Sequence, residues 1–274
     1  MIEGCHIDLV PLGGLCNRLR AVASAVHLAH VSNGSVTIHW QSNAECNAYF
    51  DELFEAIELP FVQVLRLHSW KLPLLPARKK NLQLPVFLRK YRYDAQFFVS
   101  HDRVDDSLLD TLCGKRFYIC SGHSLSAHYP LSELFKPLPS LMQRIQSIQA
   151  VFKPNVVGVH IRRGDHKRCI DHCSEQDFMR SMDDVLLLNP NTQFYVATDS
   201  EMLKSKLLER YGQSVVYQSA ELTRTSLQGI RDAVVDLWCL ASTSRIIGSP
   251  FSSYSDLAAE LGRLELQYPQ PYVV

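Results

Sequence analysis

The stretch Val156-Val157-Gly158-Val159-His160-Ile161-Arg162-Arg163-Gly164-Asp165 is an apolar run that ends abruptly in charged residues. Its β-branched residues are typical of a strand that is buried on both faces of a parallel sheet. Such a strand delivers its last residues to the carboxyl edge of the sheet, where open α/β sheets bind their ligands. Two adjacent arginines at that edge predict an anion site, and phosphate is the anion that we expect.

Predicted helices and strands alternate regularly after this stretch. Helices are predicted at 174–188, 201–211, 226–243 and 254–261, and strands at 193–198, 214–218 and 245–249. This alternation is typical of a parallel, doubly wound sheet with right-handed crossovers. The carboxyl ends of all these strands are therefore expected to share one edge.

The first half of the chain begins with a similar pattern. A strand is predicted at 6–11, followed by the tight loop Leu12-Gly13-Gly14-Leu15-Cys16-Asn17 and a helix at 18–31. Two glycines before a helix permit a ligand to approach the exposed helix amides, which favour an anion or a polar substrate. A plain β–α turn is the alternative. Further predicted elements are strands at 35–40 and 117–120 and a helix from 139 to 152.

The length of 274 residues is enough for one large or two modest domains. We place a boundary near Lys153-Pro154-Asn155, which gives domains at 1–153 and 154–274. The 28 basic and 28 acidic side chains balance, so net charge gives no reason to expect a nucleic acid or an acidic membrane as partner.

The compartment is predicted from two features. The eight cysteines are sparse, which favours reduced thiols over a disulfide framework. The amino end shows neither the basic region nor the apolar core of a signal peptide, and no apolar stretch approaches the length of a membrane span. We therefore expect a cytoplasmic protein, and a trimmed catalytic domain is the alternative.

The segment 60–93 has a different composition from its surroundings. It contains no acidic residue but eight basic ones, interleaved with aromatic residues and four prolines. The favoured interpretation is a solvated, partly irregular insertion. A surface for an acidic acceptor or for peripheral membrane contact is the less favoured alternative.

Polar residues that follow different strands are predicted to meet at the carboxyl edge of the second sheet. They are His160, Arg162, Arg163, Thr198, Asp199, Ser200, Ser249, Phe251, Ser252 and Ser253. Guanidinium groups bind phosphate bidentately, and serine hydroxyls and helix amides add neutral donors. Asp199 or Asp236 could accept from a ribose hydroxyl or a base N–H. The set predicts a nucleotide-diphosphate pocket.

Arginine is the predicted counter-charge of this diphosphate. The sequence has no Walker-type glycine loop and no Asp-x-Asp pair for a divalent ion. The pattern His166-x-x-Cys169-x-x-His172-Cys173 lacks the second clustered pair of a structural zinc site, so no metal site is predicted. An ion pair of Arg162 and Arg163 with Asp199 that is purely structural is the alternative interpretation.

Four motifs, in order along the chain, resemble those of the fucosyltransferase superfamily, which includes the α1,2-, α1,6- and protein O-fucosyltransferases. His160-Ile161-Arg162-Arg163-Gly164-Asp165 resembles their His-x-Arg-Arg-x-Asp motif. The loop from Gly13 to Leu19 resembles their amino-terminal acceptor-side motif, and Ala197-Thr198-Asp199 resembles their second donor motif. Their third donor motif resembles the stretch Arg231–Leu237 followed by Ser249-Pro250-Phe251-Ser252-Ser253.

The resemblance implies a GT-B architecture, in which two Rossmann-like domains with mainly parallel sheets face each other. It further implies inverting, metal-independent transfer of fucose from GDP-fucose to a glycan or another hydroxyl acceptor, with no cofactor. Residues 1–153 would form the acceptor side, and residues 154–274 would bind the nucleotide sugar. Use of another nucleotide sugar, or a non-catalytic nucleotide- or sugar-binding role, is the alternative.

Position by position, the resemblance also implies roles for single residues. Arg162 would bind the β-phosphate with assistance from Arg163, and Ser252 and Ser253 would contact phosphate. His160 and Asp236 would contact the guanine nucleoside, with Asp199 also on the donor side. The acceptor side would comprise Gly13, Gly14, Asn17 and Arg18, and Asn17 would face the acceptor or the fucose.

The general base is not fixed by the resemblance. Some family members place a carboxylate several residues beyond the arginines, where this chain has Ile170 followed by Asp171. Asp165 and His166 are the other candidates. The predicted catalytic set is therefore Arg162, Asp165, Asp171 and Asn17. After the aspartate this chain has His166-Lys167-Arg168, where the family often has an aromatic residue or lysine, which leaves the acceptor open.

Overall fold

The chain forms two compact units in a computed structural model that describes residues 4–67, 90–99, 114–164 and 167–270. One unit consists of Met1–Leu138 and Arg224–Ile230, and the other of Pro139–Thr223 and Arg231–Val274. Each contains a five-stranded sheet in which every described strand pair is parallel. The predicted α/β class with mainly parallel sheets is therefore confirmed.

The sheet of the first unit has the strand order β3-β2-β1-β5-β4. Its strands are β1 (His6–Pro11), β2 (Ser35–Gln41), β3 (Val62–Leu67), β4 (Ala95–Val99) and β5 (Arg116–Ser121). The chain builds outward from β1 through β2 to β3 and then continues on the other side of β1. This reversal makes the gap between the carboxyl ends of β1 and β5 a topological switch point, the usual ligand site of such sheets.

The main helix of the first unit follows β1 directly and covers the sheet. It runs over Leu15–Val31 with Gly14 as its N-cap residue, so it begins three residues before the predicted start. Its buried alanines and valines present a small, smooth surface to the sheet. A short helix at Leu131–Leu134 and a 3-10 turn at Phe50–Glu52 complete the described elements.

The sheet of the second unit has the order β10-β9-β6-β7-β8. Its strands are β6 (Val156–Ile161), β7 (Gln193–Thr198), β8 (Val215–Val216), β9 (Ile246–Ile247) and β10 (Leu266–Gln267). Its helices are Pro139–Gln149, Lys167–His172, Glu175–Leu188, Glu201–Tyr211, Ser253–Gly262 and the part of Leu227–Ala241 from Arg231 onward, with a 3-10 turn at Gly212–Ser214. The order reverses between β6 and β9, so the switch point lies outside the carboxyl ends of these two strands.

Residues 139–153 lie in the second unit, whereas the sequence placed them in the amino-terminal domain. Arg144 connects these residues to the second unit, because its guanidinium donates to the side chains of Gln218 and Asp232 there. The acceptor and donor roles of the two domains stay predictions.

Strand β3 occupies the start of the basic segment, where an irregular insertion was predicted. Residues 62–67 pair in parallel with β2 as an edge strand, and part of their side-chain surface is exposed. Residues 68–89 lie outside the described residues, so the predicted membrane or acceptor surface in 60–93 stays untested. Of the helices in the described segments, none combines the length and the hydropathy that a bilayer-crossing helix needs.

Strand β6 is the core of the second unit and is buried along its whole length. One face of it, with Val157, Val159 and Ile161, packs against Phe178 and Met182 of the helix Glu175–Leu188. Ser174 fixes the start of that helix, because its hydroxyl accepts from the amide of Asp177 while the Asp177 carboxylate accepts from the amide of Ser174. The other face of β6, with Gly158 and His160, packs against the helices on the opposite side of the sheet.

Candidate functional site

The carboxyl ends of β6 and β9 are joined by hydrogen bonds through Ser249. The hydroxyl of Ser249 accepts from the amide of Arg162 at 2.8 Å and donates to the carbonyl of His160 at 3.1 Å. Its own amide donates to the hydroxyl of Ser255. The predicted neighbourhood of the residues after β6 and after β9 is therefore present in the structure.

Asp199, which follows β7, organises the segment that follows β6. Its carboxylate accepts from the amides of Arg163 (2.7 Å) and Gly164 (3.0 Å) and forms an ion pair with Arg162, with Nη1 to Oδ2 at 2.6 Å. A Cβ atom at Gly164 would lie 2.7 Å from Oδ2 of Asp199, so a larger residue there would displace the carboxylate from this position. Asp199 thus orients the arginine loop, and its predicted contact with a ribose hydroxyl or a base N–H stays a prediction.

The two adjacent arginines, which follow the end of β6, have different neighbours. The guanidinium carbon of Arg163 lies 5.6 Å from the ring centre of Phe178, which packs on the face of β6 that carries Ile161. Its Nε and Nη2 atoms are buried and have no hydrogen-bond partner among the described atoms. The guanidinium of Arg162 instead pairs with Asp199 at the carboxyl end of β7.

His160 is buried next to Arg162 and is neutral. Its Nδ1 lies 2.7 Å from the hydroxyl of Ser255, and its ring stacks on Tyr254 with centroids 4.7 Å apart. Burial, followed by the positive charge of Arg162, lowers the pKa of His160 to about 3. The imidazole therefore donates or accepts hydrogen bonds at neutral pH without carrying charge. Its predicted contact with a nucleoside stays a prediction.

The helix Ser253–Gly262 begins close to the ends of β6 and β9, because the hydroxyl of Ser255 in its first turn contacts His160 and the amide of Ser249. Ser252 is the N-cap residue, and its side chain makes no capping hydrogen bond. Phe251 before it has a φ of 60° and is 51% exposed. Backbone amides at a helix start favour anions. The phosphate contacts of Ser252 and Ser253 stay a prediction.

Asp236 lies deeper on the same face of the sheet. The hydroxyl of Tyr195 donates to Oδ1 of Asp236 at 2.5 Å, and burial raises the pKa of this carboxyl to about 6. The second carboxylate of the helix, Asp232, accepts instead from Arg144 at 2.6 Å and from the amide of Glu221. Both carboxylates are buried.

The candidates for the general base follow the arginines. Asp171 lies exposed on the short helix Lys167–His172, which is tied to the edge by an edge-to-face contact of His172 with Phe251. Asp165 and His166 lie outside the described residues. The identity of the base stays a prediction.

Arg18 of the predicted acceptor-side motif is fully buried in the first unit. Its guanidinium donates to the carbonyls of Gly13 and Gln41 and, at 2.8 Å, to the side chain of Asn43. The same group lies 5.3 Å from the ring centre of Trp40. Arg18 therefore holds the glycine loop in place and is not exposed to an acceptor.

Asn17 lies at the switch point of the first sheet, between the loops that follow β1 and β5. A Cβ atom at Gly13, whose φ is 80°, would lie 2.9 Å from Nδ2 of Asn17, and one at Gly122 would lie 3.7 Å from Cβ of Asn17. The guanidinium of Arg20 donates to the carbonyl of Gly122 at 3.3 Å and lies 3.4 Å from Nδ1 of His123. Arg20 and His123 were not predicted, because only the strand order shows that the end of β5 meets the end of β1.

Within 4–67, 90–99, 114–164 and 167–270, no three His, Cys, Asp or Glu side chains lie close enough together to hold an ion. Cys173 is buried, and its thiol donates to the carbonyl of Pro269 at 3.3 Å.

Several fucosyltransferases are among the solved structures with a similar fold. NodZ alpha-1,6-fucosyltransferase soaked with GDP-fucose is 15% identical with a TM-score of 0.61, over 94% of this chain and 93% of that chain. A mutant of Arabidopsis thaliana FUT1 in complex with GDP is 13% identical with a TM-score of 0.63, over 98% of this chain and 71% of that chain. POFUT1 in complex with GDP is 10% identical with a TM-score of 0.61, over 97% and 98%.

These comparisons establish the fold of the chain. No protein-family model and no curated protein sequence matches it. The two parallel sheets match those of the NodZ and POFUT1 structures, so the predicted GT-B-like pair of Rossmann-like domains is confirmed. At identities of 10–15% the likeness concerns architecture, and the activity of this chain is a separate question.

Proposed function

We propose that this chain is an inverting, metal-independent glycosyltransferase that moves fucose from GDP-fucose to a hydroxyl of a glycan or another acceptor. One observation carries the proposal. The guanidinium of Arg162 is held by Asp199 at the carboxyl ends of β6 and β7, and the amide of Arg162 is bound by Ser249, which lies between β9 and the helix Ser253–Gly262. A guanidinium and helix amides together are complementary to a diphosphate.

The proposed reaction breaks the bond between the anomeric carbon of fucose and the β-phosphate oxygen. The electron pair of that bond leaves with GDP, and negative charge grows on the diphosphate as the sugar acquires oxocarbenium character. Arg162 stabilises this charge because it is already oriented by its ion pair of 2.6 Å with Asp199. The acceptor oxygen forms the new bond from the opposite face, which inverts the configuration, and its proton passes to a base.

The base is assigned to the segment after Arg163, with Asp165, Asp171 and His166 as the candidates. An ionised carboxylate or a neutral imidazole at this position would take the proton of the acceptor hydroxyl. The amides of Arg163 and Gly164, which directly precede this segment, are held by the carboxylate of Asp199. The arginine that binds the donor and the residue that acts as base would therefore belong to one loop.

The nucleoside is assigned to His160 and Asp236. Both are buried, and His160 is neutral while Asp236 is ionised above a pH of about 6. A carboxylate is complementary to the adjacent N–H donors of a guanine base. The similar structures of NodZ, FUT1 and POFUT1 contain GDP or GDP-fucose, which supports this donor.

The acceptor side is assigned to the switch point of the first sheet, with Gly13, Gly14 and Asn17. Arg18 acts there by holding the loop, as its burial requires. His123 is added to these predicted acceptor-side residues. The guanidinium of Arg20 can only donate, so Nδ1 of His123 accepts from it and the ring proton lies on Nε2.

Turnover tests the proposal. Purified protein is incubated with GDP-fucose, EDTA and a glycan library, and released GDP and fucosylated products are measured. We expect release of GDP from GDP-fucose and no release of UDP from UDP-sugars. Arg162→Ala should lose the release of GDP. Arg210→Ala is the matched control, since it removes an exposed guanidinium that pairs with Asp183. Binding of GDP without release under any acceptor would favour the non-catalytic alternative, and release from another sugar nucleotide would favour the alternative donor.

A further inference from the structure

The second unit contains a buried tyrosine–carboxylate pair that the proposed chemistry does not yet use. Tyr195 on β7 has no exposed surface, and its hydroxyl donates to Oδ1 of Asp236 on the helix Leu227–Ala241 at 2.5 Å. The ring of Tyr195 packs against Phe152, with centroids 5.3 Å apart. The aromatic packing fixes the position of the hydroxyl and thereby the direction of the carboxylate.

Gln218 holds Asp236 from a third segment of the chain. Its side chain hydrogen-bonds Asp236, and its Nε2 also donates to the carbonyl of Asp232 at 2.7 Å. Its Oε1 accepts from Arg144 at 3.1 Å. Tyr195 from β7 and Gln218 from the segment after β8 thus approach Asp236, while Arg144 from the helix Pro139–Gln149 binds Gln218 and the neighbouring carboxylate of Asp232.

The helix that carries Asp236 is linked to the proposed donor site. The hydroxyl of Tyr254 donates to the carbonyl of Ala233 on this helix at 2.5 Å, and the ring of Tyr254 stacks on His160. A carboxylate that is buried at the cost of its hydration, and aligned by neighbours in this way, is typical of a functional site. Packing alone would be served equally well by an apolar side chain at position 236.

Resting on the proposed function, we infer that Tyr195 is a positioning residue: it aims Asp236 at the nucleobase and thereby sets the selectivity for a base with two adjacent N–H donors. Tyr195 acts through Asp236 and does not itself contact the nucleotide. Gln218 supports the same carboxylate from the other side. Arg162 binds the diphosphate, and the Tyr195–Asp236 pair determines which nucleobase is preferred.

The charge of Asp236 is set by groups from every element packed against it. Burial raises its pKa to about 6, while the hydrogen bonds from Tyr195 and Gln218 and the charge of Lys204 lower it, and the charge of Asp232 raises it. Burial, together with Asp236, holds the pKa of Tyr195 well above its ordinary value, so the tyrosine stays a donor. Removing the Tyr195 hydroxyl removes a donor to the ionised carboxylate, and protonation of Asp236 then begins at a higher pH.

The test is the ratio of the affinities for GDP and IDP in wild-type protein and in Tyr195→Phe, measured by calorimetry between pH 5 and 8. IDP carries the same diphosphate but lacks the 2-amino group of guanine, so the ratio cancels phosphate ionisation. We expect the wild-type ratio to fall as the pH drops through about 6. In Tyr195→Phe the ratio near neutral pH should be smaller by about tenfold, and its midpoint should lie at a higher pH. Binding of pyrophosphate should be unchanged.

Tyr211→Phe is the matched control, because the Tyr211 hydroxyl also donates to a carboxylate, Asp183, at 2.9 Å, away from the donor site. Tyr211→Phe should leave the ratio of GDP to IDP affinity and the pH midpoint of that ratio unchanged. If Tyr195→Phe does not fold, Gln218→Leu removes the other support of Asp236 and should shift the midpoint in the same direction. An unchanged ratio and midpoint, or an equal shift in Tyr211→Phe, would overturn the inference. Failure of the wild-type protein to bind GDP at any pH would instead overturn the proposed function on which the inference rests.

Discussion

Arg162 and Asp199 form an ion pair across the carboxyl ends of β6 and β7, with 2.6 Å between Nη1 and Oδ2. Both side chains are half-buried, and Asp199 is held in place by the amides of Arg163 and Gly164. A half-exposed ion pair contributes little to stability by itself. Its main consequence is geometric, because it fixes the guanidinium where the proposed diphosphate would bind.

Arg162→Lys should weaken GDP binding by about tenfold, since lysine keeps the charge but loses the planar fork. Arg162→Ala should weaken it by about thirtyfold, which corresponds to about 2 kcal/mol for a hydrogen bond to a charged group. Calorimetric titration with GDP in the presence of EDTA measures both. Equal affinities of the wild-type protein and Arg162→Ala would place the diphosphate elsewhere.

Arg163→Ala should behave differently from Arg162→Ala, although the two arginines are adjacent. Arg163 packs on Phe178, so its loss should lower the free energy of unfolding and leave the affinity of the folded protein for GDP within about threefold of wild type. Urea unfolding and GDP titration of the same samples separate the two effects. A loss of affinity as large as that of Arg162→Ala would restore the assisting role that the sequence motif implies.

Arg18→Met should lower the free energy of unfolding by about 3 kcal/mol, because it leaves the buried acceptors of Gly13, Gln41 and Asn43 without their donor. Arg66→Met is the control, since Arg66 forms an exposed ion pair with Asp51. Urea titration at neutral pH gives both values. If Arg18→Met is as stable as wild type but loses transfer to the acceptor, Arg18 contacts the acceptor directly.

The pH dependence of stability should contain opposing contributions from His160 and Asp236. His160 has a folded-state pKa of about 3, below its ordinary 6.5. Protonation of His160 in the unfolded chain therefore lowers the free energy of unfolding as the pH falls from 6.5 towards 3. Asp236 has a folded-state pKa of about 6, above its ordinary 3.8, so the folded protein gains stability as the pH falls from 6 towards 4.

Asp236→Asn should therefore lose stability more steeply than wild type between pH 6 and 4, by up to about 1.4 kcal/mol per pH unit. His160→Gln should show the opposite change, with stability relative to wild type rising as the pH falls. Urea unfolding at half-unit steps of pH measures the slopes. Identical slopes in the wild-type protein and both variants would show that neither group keeps its shifted pKa.

Much of the second unit could be predicted from the sequence because its elements are strongly patterned. The strand predicted at 193–198 and the helix predicted at 201–211 have the bounds found in the structure. Strands β8, β9 and β10 have two residues each, too few for a period-two pattern, so the predictions at 214–218 and 245–249 were too long and β10 was not predicted.

The site was less predictable because its contacts depend on strand order and on which face a side chain takes. The motif marked Arg162 and Arg163 together, but the structure packs Arg163 against Phe178 and pairs Arg162 with Asp199. Arg18 belongs to a motif associated with the acceptor, and only the three-dimensional structure shows that it is buried under the glycine loop. The contact of Tyr195 with Asp236 joins positions 41 residues apart, without any local signal.

The most direct measurement is a crystal structure of the chain with GDP. We predict that the diphosphate lies at the switch point between β6 and β9, with a β-phosphate oxygen within 3.2 Å of the guanidinium of Arg162 and others near the amides of Ser252 and Ser253. A diphosphate bound away from Arg162, with the guanidinium still engaged only by Asp199, would contradict the proposed donor site.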